Sequence, residues 1–491
     1  MKKKFLSTTL FTLCSLAYAE VTYSTLENLS IPVNKALTLN SDNTLSFSRV
    51  TGLDNQKWAF IKAEDTGYWY LKNKTNSNLC LNSTNNLYQS CTQGGYSTQR
   101  KFFPQKVGNS KFIISNQYKS QTGQPSFLAT NTTSLSITYL KAESSNIDEV
   151  TWEFNGQFDQ YNMSFLGNKK VLLVNAYFSG QKPRNGTNVY NAVFKNKDNK
   201  LNLQENIELS SGGRATISGE FLDNIELKSS PLVSCSSDER NEKIFNPIKE
   251  IAKGQGIEYE YIFVELPPTK VCKYGAVAQK VGNGKTVHSN GEGHKYWMWN
   301  HELGHNLGGK HTKSLTTETV NNSTVKLLNS LKTGWQLGID YGDTLGGGGR
   351  GLFAVNYRLW LGWIDPQDVP YIQSKGIYTL LPAFSSQKGN KGLRIARKDS
   401  TVLVIEYRPN QGKYDQFSSQ PNQTISNGLT IRHEKIVSAF SLEDSIIDTT
   451  PSTDSKDSPL TIGRTLIDEL SGYSIKVLSI DENSGVKVEI N

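Results

Sequence analysis

The sequence predicts a multidomain protein: an all-β unit, then an α/β unit, then a C-terminal β-sandwich. Three observations carry this. Residues 20–156 repeat themselves loosely three times, as short period-two apolar segments separated by polar turns. Residues 157–368 alternate strand and helix patterns, as a sheet covered by helices does. Residues 369–491 hold only strand and turn patterns. A chain of 491 residues is also too long for one typical core, so two or three units are expected on size alone.

Residues 1–19 stand apart. Lys2, Lys3 and Lys4 precede the apolar run from Phe5 to Leu16, and Ala17-Tyr18-Ala19 puts small residues just before Glu20. This is the layout of an export signal cleaved near Ala19, so the expected location is secreted, extracellular. Cys14 follows Leu13, where lipoprotein processing needs a small residue, which argues against lipidation. No uninterrupted apolar run reaches the roughly eighteen residues of a spanning helix, so no membrane span is expected. Losing three lysines takes the formal charge from +8 to 50 minus 45, or +5. That mild surplus, without a dense Lys/Arg block, argues against nucleic acid as a partner. Cys80, Cys91, Cys235 and Cys272 remain, and an even number in an exported chain favours two disulfides. Of three connectivities, the local pairs Cys80 with Cys91 and Cys235 with Cys272 are preferred, because each falls within one unit.

In the first unit, Leu37-Thr38-Leu39-Asn40-Ser41, Leu79-Cys80-Leu81-Asn82-Ser83 and Ser126-Phe127-Leu128-Ala129-Thr130 can be laid over one another. An aromatic closes each repeat: Trp58, Phe102 and Trp152. Threefold repetition of this kind argues for a closed all-β unit whose three aromatics share one core. The region resembles the ricin B-type β-trefoil, whose repeats carry a Q-x-W signature, here Gln56-Lys57-Trp58. The resemblance implies a lectin-like module with glycan contacts at Asn40 and Asn82. The third equivalent position is Ala129, which offers a sugar nothing to bond.

In the second unit, 170–178 reads as a buried strand, 201–209 as a short helix, 215–227 as an alternating strand, 238–252 as an amphipathic helix and 258–266 as a strand. The segment that follows carries the chemistry: His301-Glu302-Leu303-Gly304-His305-Asn306-Leu307-Gly308-Gly309-Lys310-His311. On a helix, residues four apart share a face, so His301 and His305 can address one ion while Glu302 faces its open side. Gly308 lets the backbone turn sharply and return His311 as a third ligand. Three neutral imidazoles are a borderline-soft set that suits zinc.

This run matches H-E-x-x-H-x-x-G-x-x-H, and the chain resembles the metzincin zinc peptidases on it. Asp340-Tyr341-Gly342-Asp343 and the later Leu361-Gly362-Trp363 resemble the gametolysin-type branch. The resemblance implies one catalytic Zn2+ on His301, His305 and His311, Glu302 as general base, and hydrolysis of peptide bonds without a covalent intermediate. It also implies a methionine beneath the metal, but only Met1, Met163 and Met298 exist, none after His311. Leu345 is the apolar residue of the turn 343–347 that can take its place. Tyr341 and Tyr357 are candidate oxyanion donors, with core or surface packing the simpler reading. His288, His294 and His433 have no ligand spacing among themselves, and Glu292 and Asp343 carry no catalytic signature.

The third unit shows its clearest strands at 378–381, 401–408, 428–432 and 473–480. The acids neighbouring its segment Ser445 to Pro451 could take Ca2+, a solvated acidic loop being the simpler reading. The expectation is therefore a secreted zinc metalloendopeptidase acting on a protein or glycoprotein substrate, which a lectin-like module concentrates on its target. A non-catalytic adhesin or toxin component with a degraded peptidase unit is the alternative, favoured only by the missing methionine. A prodomain role for the trefoil is weaker still, because both its cysteines are expected to be paired.

Overall fold

The structure is a computed structural model. It describes residues 24–491 except 29, 32–34, 64–67, 77–78, 83–87, 91–96, 107–110, 117–126, 132–135, 141–150, 155–164, 197–198, 280–281, 283, 335–338, 348–350, 400, 417–423, 439–440, 454 and 483. The export signal and Cys91 lie outside the described residues.

Among the described residues, twelve strands make the first unit: β1 (Ser24–Asn28), β2 (Lys35–Leu39), β3 (Leu45–Arg49), β4 (Lys57–Ala63), β5 (Tyr68–Asn73), β6 (Leu79–Leu81), β7 (Tyr88–Ser90), β8 (Phe102–Lys106), β9 (Lys111–Asn116), β10 (Phe127–Asn131), β11 (Ser136–Leu140) and β12 (Thr151–Phe154). The pairings β1–β4, β4–β5, β5–β8, β8–β9, β9–β12 and β12–β1 close a six-stranded antiparallel ring. The other six strands form the hairpins β2–β3, β6–β7 and β10–β11, one per repeat. This is the β-trefoil arrangement, and closure leaves the ring no free edge. Trp58, Phe102 and Trp152 are fully buried in it. The indole N–H of Trp58 donates to Leu37 O and that of Trp152 to Leu128 O, each at 2.8 Å, so both aromatics tie the closing strand to the hairpin of their own repeat.

The second unit has a five-stranded sheet from β13 (Gly167–Phe178), β14 (Ala215–Leu227), β15 (Tyr261–Leu266), β16 (Ala276–Ala278) and β17 (Thr286–Asn290), in the order β14-β13-β15-β17-β16. The first four are parallel and β16 is an antiparallel edge. Alternation along β13 explains the layers. Val171 and Leu173 pack with the helices Gly186–Val193 and Leu203–Ser210 and with the helix Tyr296–Asn306. Leu172 and Val174 face the other way, onto Ile244, Ile248 and Ala252 of the helical run 237–254. Cys235 and Cys272 form a disulfide on that second side, and Cys80 is also disulfide-bonded.

The remaining strands are β18 (Lys313–Asn321), β19 (Thr324–Thr333), β20 (Gly376–Leu380), β21 (Leu393–Ala396), β22 (Val402–Tyr407), β23 (Gly428–Ser438), β24 (Ser441–Ile447), β25 (Leu460–Thr461), β26 (Thr465–Asp468), β27 (Tyr473–Asp481) and β28 (Gly485–Ile490). They form one hydrogen-bonded sheet that curls until β23 and β25 meet β27 across a single apolar core. The hairpin β18–β19 lies in the middle of this sheet, between β24 and β26. Strand pairing thus crosses position 368: a segment that belongs by sequence to the α/β unit is built into the C-terminal sheet.

Candidate metal centre

The helix Tyr296–Asn306 is almost wholly buried, and its faces divide the labour. Trp299 stacks on Phe263 of β15 with ring centroids 5.3 Å apart, and its indole N–H donates to Gly293 O at 2.8 Å. Leu303 and Leu307 continue that stripe into the core. The opposite face carries His301, Glu302 and His305, as their spacing requires. Gly308 then takes φ +101°, a left-handed turn that a side chain would resist, and His311 comes back over the helix. A Cβ on Gly309 would collide with Leu345 and Tyr357, so this turn is closely packed from below.

One ligand atom from each of His301, His305 and His311 lies within 4.8 Å of the others. His301 Nε2 and His311 Nε2 are 3.1 Å apart. The Nδ1 atoms of His301 and His305 lie 2.9 Å from Thr344 O and 2.7 Å from Gly309 O. A carbonyl can only accept, so both rings carry their proton on Nδ1 and leave Nε2 as the lone-pair donor. Burial pushes the pKa of His301 down to about 3 and that of His305 to about 4, and it lowers that of His311. Neutral rings with converging lone pairs are what a zinc ion needs, so these residues fit it. Burial raises the Glu302 carboxyl to about 7, against the pull of Ala278 N–H, which donates to its Oε2 at 2.6 Å.

Leu345 is fully buried, and a Cβ on Gly304 would meet its Cδ2 at 3.1 Å, so it lies beneath the histidine helix and the Gly309 turn. The C-terminal sheet holds this floor in place. Lys310 N donates to Leu442 O and Leu442 N to Gly308 O, so the start of β24 pairs with the turn between the second and third histidines. Arg432 of β23 reaches Asp340 at 2.6 Å, Asp444 at 2.9 Å, Glu406 at 3.1 Å and Asp343 at 3.9 Å, all of them buried. Asp343 in turn accepts from Leu345 N and from the Thr312 hydroxyl, while Arg408 donates to Gly342 O.

A cleft of about 890 Å³ opens over the three histidines and Glu302, with the edge strand β16 as one wall. Trp297, Met298, Lys273, Lys310 and Lys313 also line it. Sequence reasoning did not single these out, because only the strand order shows that 273–278 and 310–313 flank one groove.

Other expected sites fare differently. Tyr357 is buried under the Gly309 turn with its hydroxyl 3.4 Å from Lys310 O, and Tyr341 is absent from the cleft lining, so neither is placed as an oxyanion donor. His288 is buried beside the Cys235–Cys272 pair, His294 is exposed and His433 is on β23. Glu292 lines the cleft and pairs with Lys295. The glycan expectation needs correcting at residue level. Asn82 is 1% exposed, and the amide of Asn40 is engaged inside its own turn, donating to Thr44 Oγ1 at 2.9 Å and accepting from Ser46 Oγ at 3.1 Å. In the segment read as a calcium candidate, Asp448 pairs with Lys332 Nζ at 2.6 Å and accepts from Thr450.

No family model matches the chain, and no curated protein matches it. Similar solved structures are β-trefoil proteins and lectins that cover about a quarter of it. The designed threefold-symmetric protein ThreeFoil is 18% identical over 27% of this chain and 96% of its own, with a TM-score of 0.22. The Polyporus squamosus lectin, bound to a human-type influenza-binding epitope, is 13% identical over 28% of this chain and 49% of its own, with a TM-score of 0.22. The β-trefoil BEL is 15% identical over 28% of this chain and 94% of its own, also with a TM-score of 0.22. The trefoil assignment rests on the closed ring of strands, not on these likenesses. Among the described residues, no helix is long and apolar enough to cross a membrane.

Proposed function

We propose that the chain is a secreted zinc-dependent endopeptidase that resembles the gametolysin-type metzincins. The observation that carries the reading is the convergence of three neutral imidazoles, those of His301 and His305 buried and that of His311 half-buried, next to a buried carboxylate at the floor of an open cleft. His301, His305 and His311 would hold the ion. When bound, it supplies Lewis acidity, making water more acidic and polarising the scissile carbonyl. Glu302, held against β16 through Ala278, would take the proton of the attacking water and pass it to the departing amine. The edge strand β16 offers its open side to an extended peptide, which suits an endopeptidase rather than an exopeptidase. Leu345 supplies the apolar floor where the resembling family has methionine.

The trefoil is read as the module that holds the enzyme on a glycosylated surface, raising local substrate concentration. Its closed threefold architecture supports this, and a glycan array on the full chain tests it. For the enzyme, Glu302→Ala should keep zinc near one equivalent while cutting peptide hydrolysis at least about a hundredfold, whereas His305→Ala should lose both. Wild-type turnover in Glu302→Ala, or less than half an equivalent of zinc in the intact protein, would sink the reading.

A further inference from the structure

The cleft is unevenly charged. Lys273, Lys310 and Lys313 line it, against the carboxylates Glu292 and Glu302. Glu292 is already paired with Lys295, and Lys310 is held by Glu443 at 2.8 Å. Among the described residues no carboxylate stands within ion-pair distance of Lys273 or Lys313, although Glu443 feels the charge of Lys313 as well as of Lys310 and Lys435. The backbone of Lys313 is held in register by pairing with Ser445 of β24. Lys310 and Lys313 flank His311 in the chain, and both line the same cleft as the three histidines.

We infer that the cleft selects peptides carrying an aspartate or glutamate close to the scissile bond. The inference rests on the endopeptidase reading and names its substrate class. The apolar part of the groove, Trp297, Met298 and Val277, takes the neighbouring side chains, and the lysines supply the discrimination. Exposed charge pairs are weak singly, so a preference of roughly three- to tenfold is expected, screened by salt.

The test compares kcat/KM for peptides that differ only in Asp or Glu, Asn or Gln, and Lys at each position around the bond, in wild type and in Lys273→Glu plus Lys313→Glu. Lys310 is left alone because Glu443 depends on it. Wild type should favour the acidic peptides, lose the preference in high salt, and the double variant should favour the lysine peptides. A ratio of one, or a ratio untouched by charge reversal, overturns the inference. If the reversed protein melts early, Lys273→Gln and Lys313→Gln carry the same comparison. Should wild type hydrolyse none of the peptides, the endopeptidase reading fails by itself. Fluorescence anisotropy of the same peptides on Glu302→Ala then decides the selection: binding that follows charge and reverses with the lysines upholds it, and charge-indifferent binding overturns it.

Discussion

Replacing Arg432 with leucine should damage the histidine cluster from behind. The arginine is fully buried and is the cation facing Asp340, Asp343, Glu406 and Asp444. A second buried guanidinium, that of Arg408, is already bound to Asp415, Gly342 O and Leu352 O. Removing one partner of a buried ion pair costs about 3–5 kcal/mol, and here one residue serves four acids, so the upper end applies. That is a large share of the roughly 5–15 kcal/mol that stabilises a typical domain. The cost should also depend on pH. Burial raises the pKa of Asp343 and Asp444, and Arg432 is the charge that opposes it. A carboxyl raised in the folded state keeps a proton that the unfolded chain gives up, so its contribution is fully present below the unfolded pKa and is lost as pH rises through the folded one. Without Arg432 those values rise further, so the deficit of the variant should be larger at a higher pH than at a lower one, both above the ordinary aspartate range. Urea unfolding at both pH values measures it. Zinc retention under a chelator should fall roughly ten- to a hundredfold, as for the loss of other groups that orient metal ligands. A variant with wild-type midpoints and zinc affinity, or with a deficit that shrinks at higher pH, would refute the reasoning.

Leu345→Ala should lose about 2–5 kcal/mol and loosen zinc, because it opens a cavity under Gly304 and Gly309, while Leu345→Met should stay within about 1.5 kcal/mol; thermal melting with and without chelator separates the two. Burial would raise the Glu239 carboxyl, yet donation from Val233 N, Ser234 N and Lys243 holds it down to about 2. Its stabilisation is therefore present above the ordinary glutamate value and lost as pH falls from about 4.5 towards about 2. Glu239→Gln should flatten the acid limb of stability in that window, and an unchanged limb would reject the assignment. Asn82→Ala should cost about 1–3 kcal/mol and leave any glycan binding of the full chain unaltered, since the side chain is buried; a glycan array together with a melting curve checks both.

What could be read in the sequence was local. The three histidines and Glu302 fall within eleven residues of one helix and turn, so ligand spacing alone brings them together. β13, β14 and the helix Leu203–Ser210 follow from period-two and helical patterns near where they were expected. The trefoil shows through its repeat, and it carries a further threefold marker. Asn28, Asn73 and Asn116 end the first strand of each repeat, 45 and 43 residues apart, and all three are buried. Asn73 Nδ2 donates to Asn55 O and Asn116 Nδ2 to Gln99 O, while Asn28 Oδ1 accepts from Ser30 N. A buried amide that closes a turn reads in sequence as one more polar loop residue, so only the threefold spacing could have exposed it.

Long-range pairing was not legible. Lys313 faces Ser445, 132 positions further on, and nothing in either segment specifies that partner. The same applies to Arg432, which reads as a polar end to a strand until Asp340 and Asp343 are brought beside it from ninety residues away. The consequence bears on how the protein is divided. His311 is placed by a turn that hydrogen-bonds Leu442, Leu345 is placed by a loop that Arg432 and Arg408 hold, and the hairpin after His311 lies inside the C-terminal sheet. A cut at 368 would therefore do more than shorten the chain. It would strip the turn before the third ligand of its backbone partner, take the counter-ion from Asp340 and Asp343, and expose both edges of a hairpin whose neighbours are β24 and β26. The histidine cluster is a local motif in sequence, but its geometry is held by the C-terminal sheet.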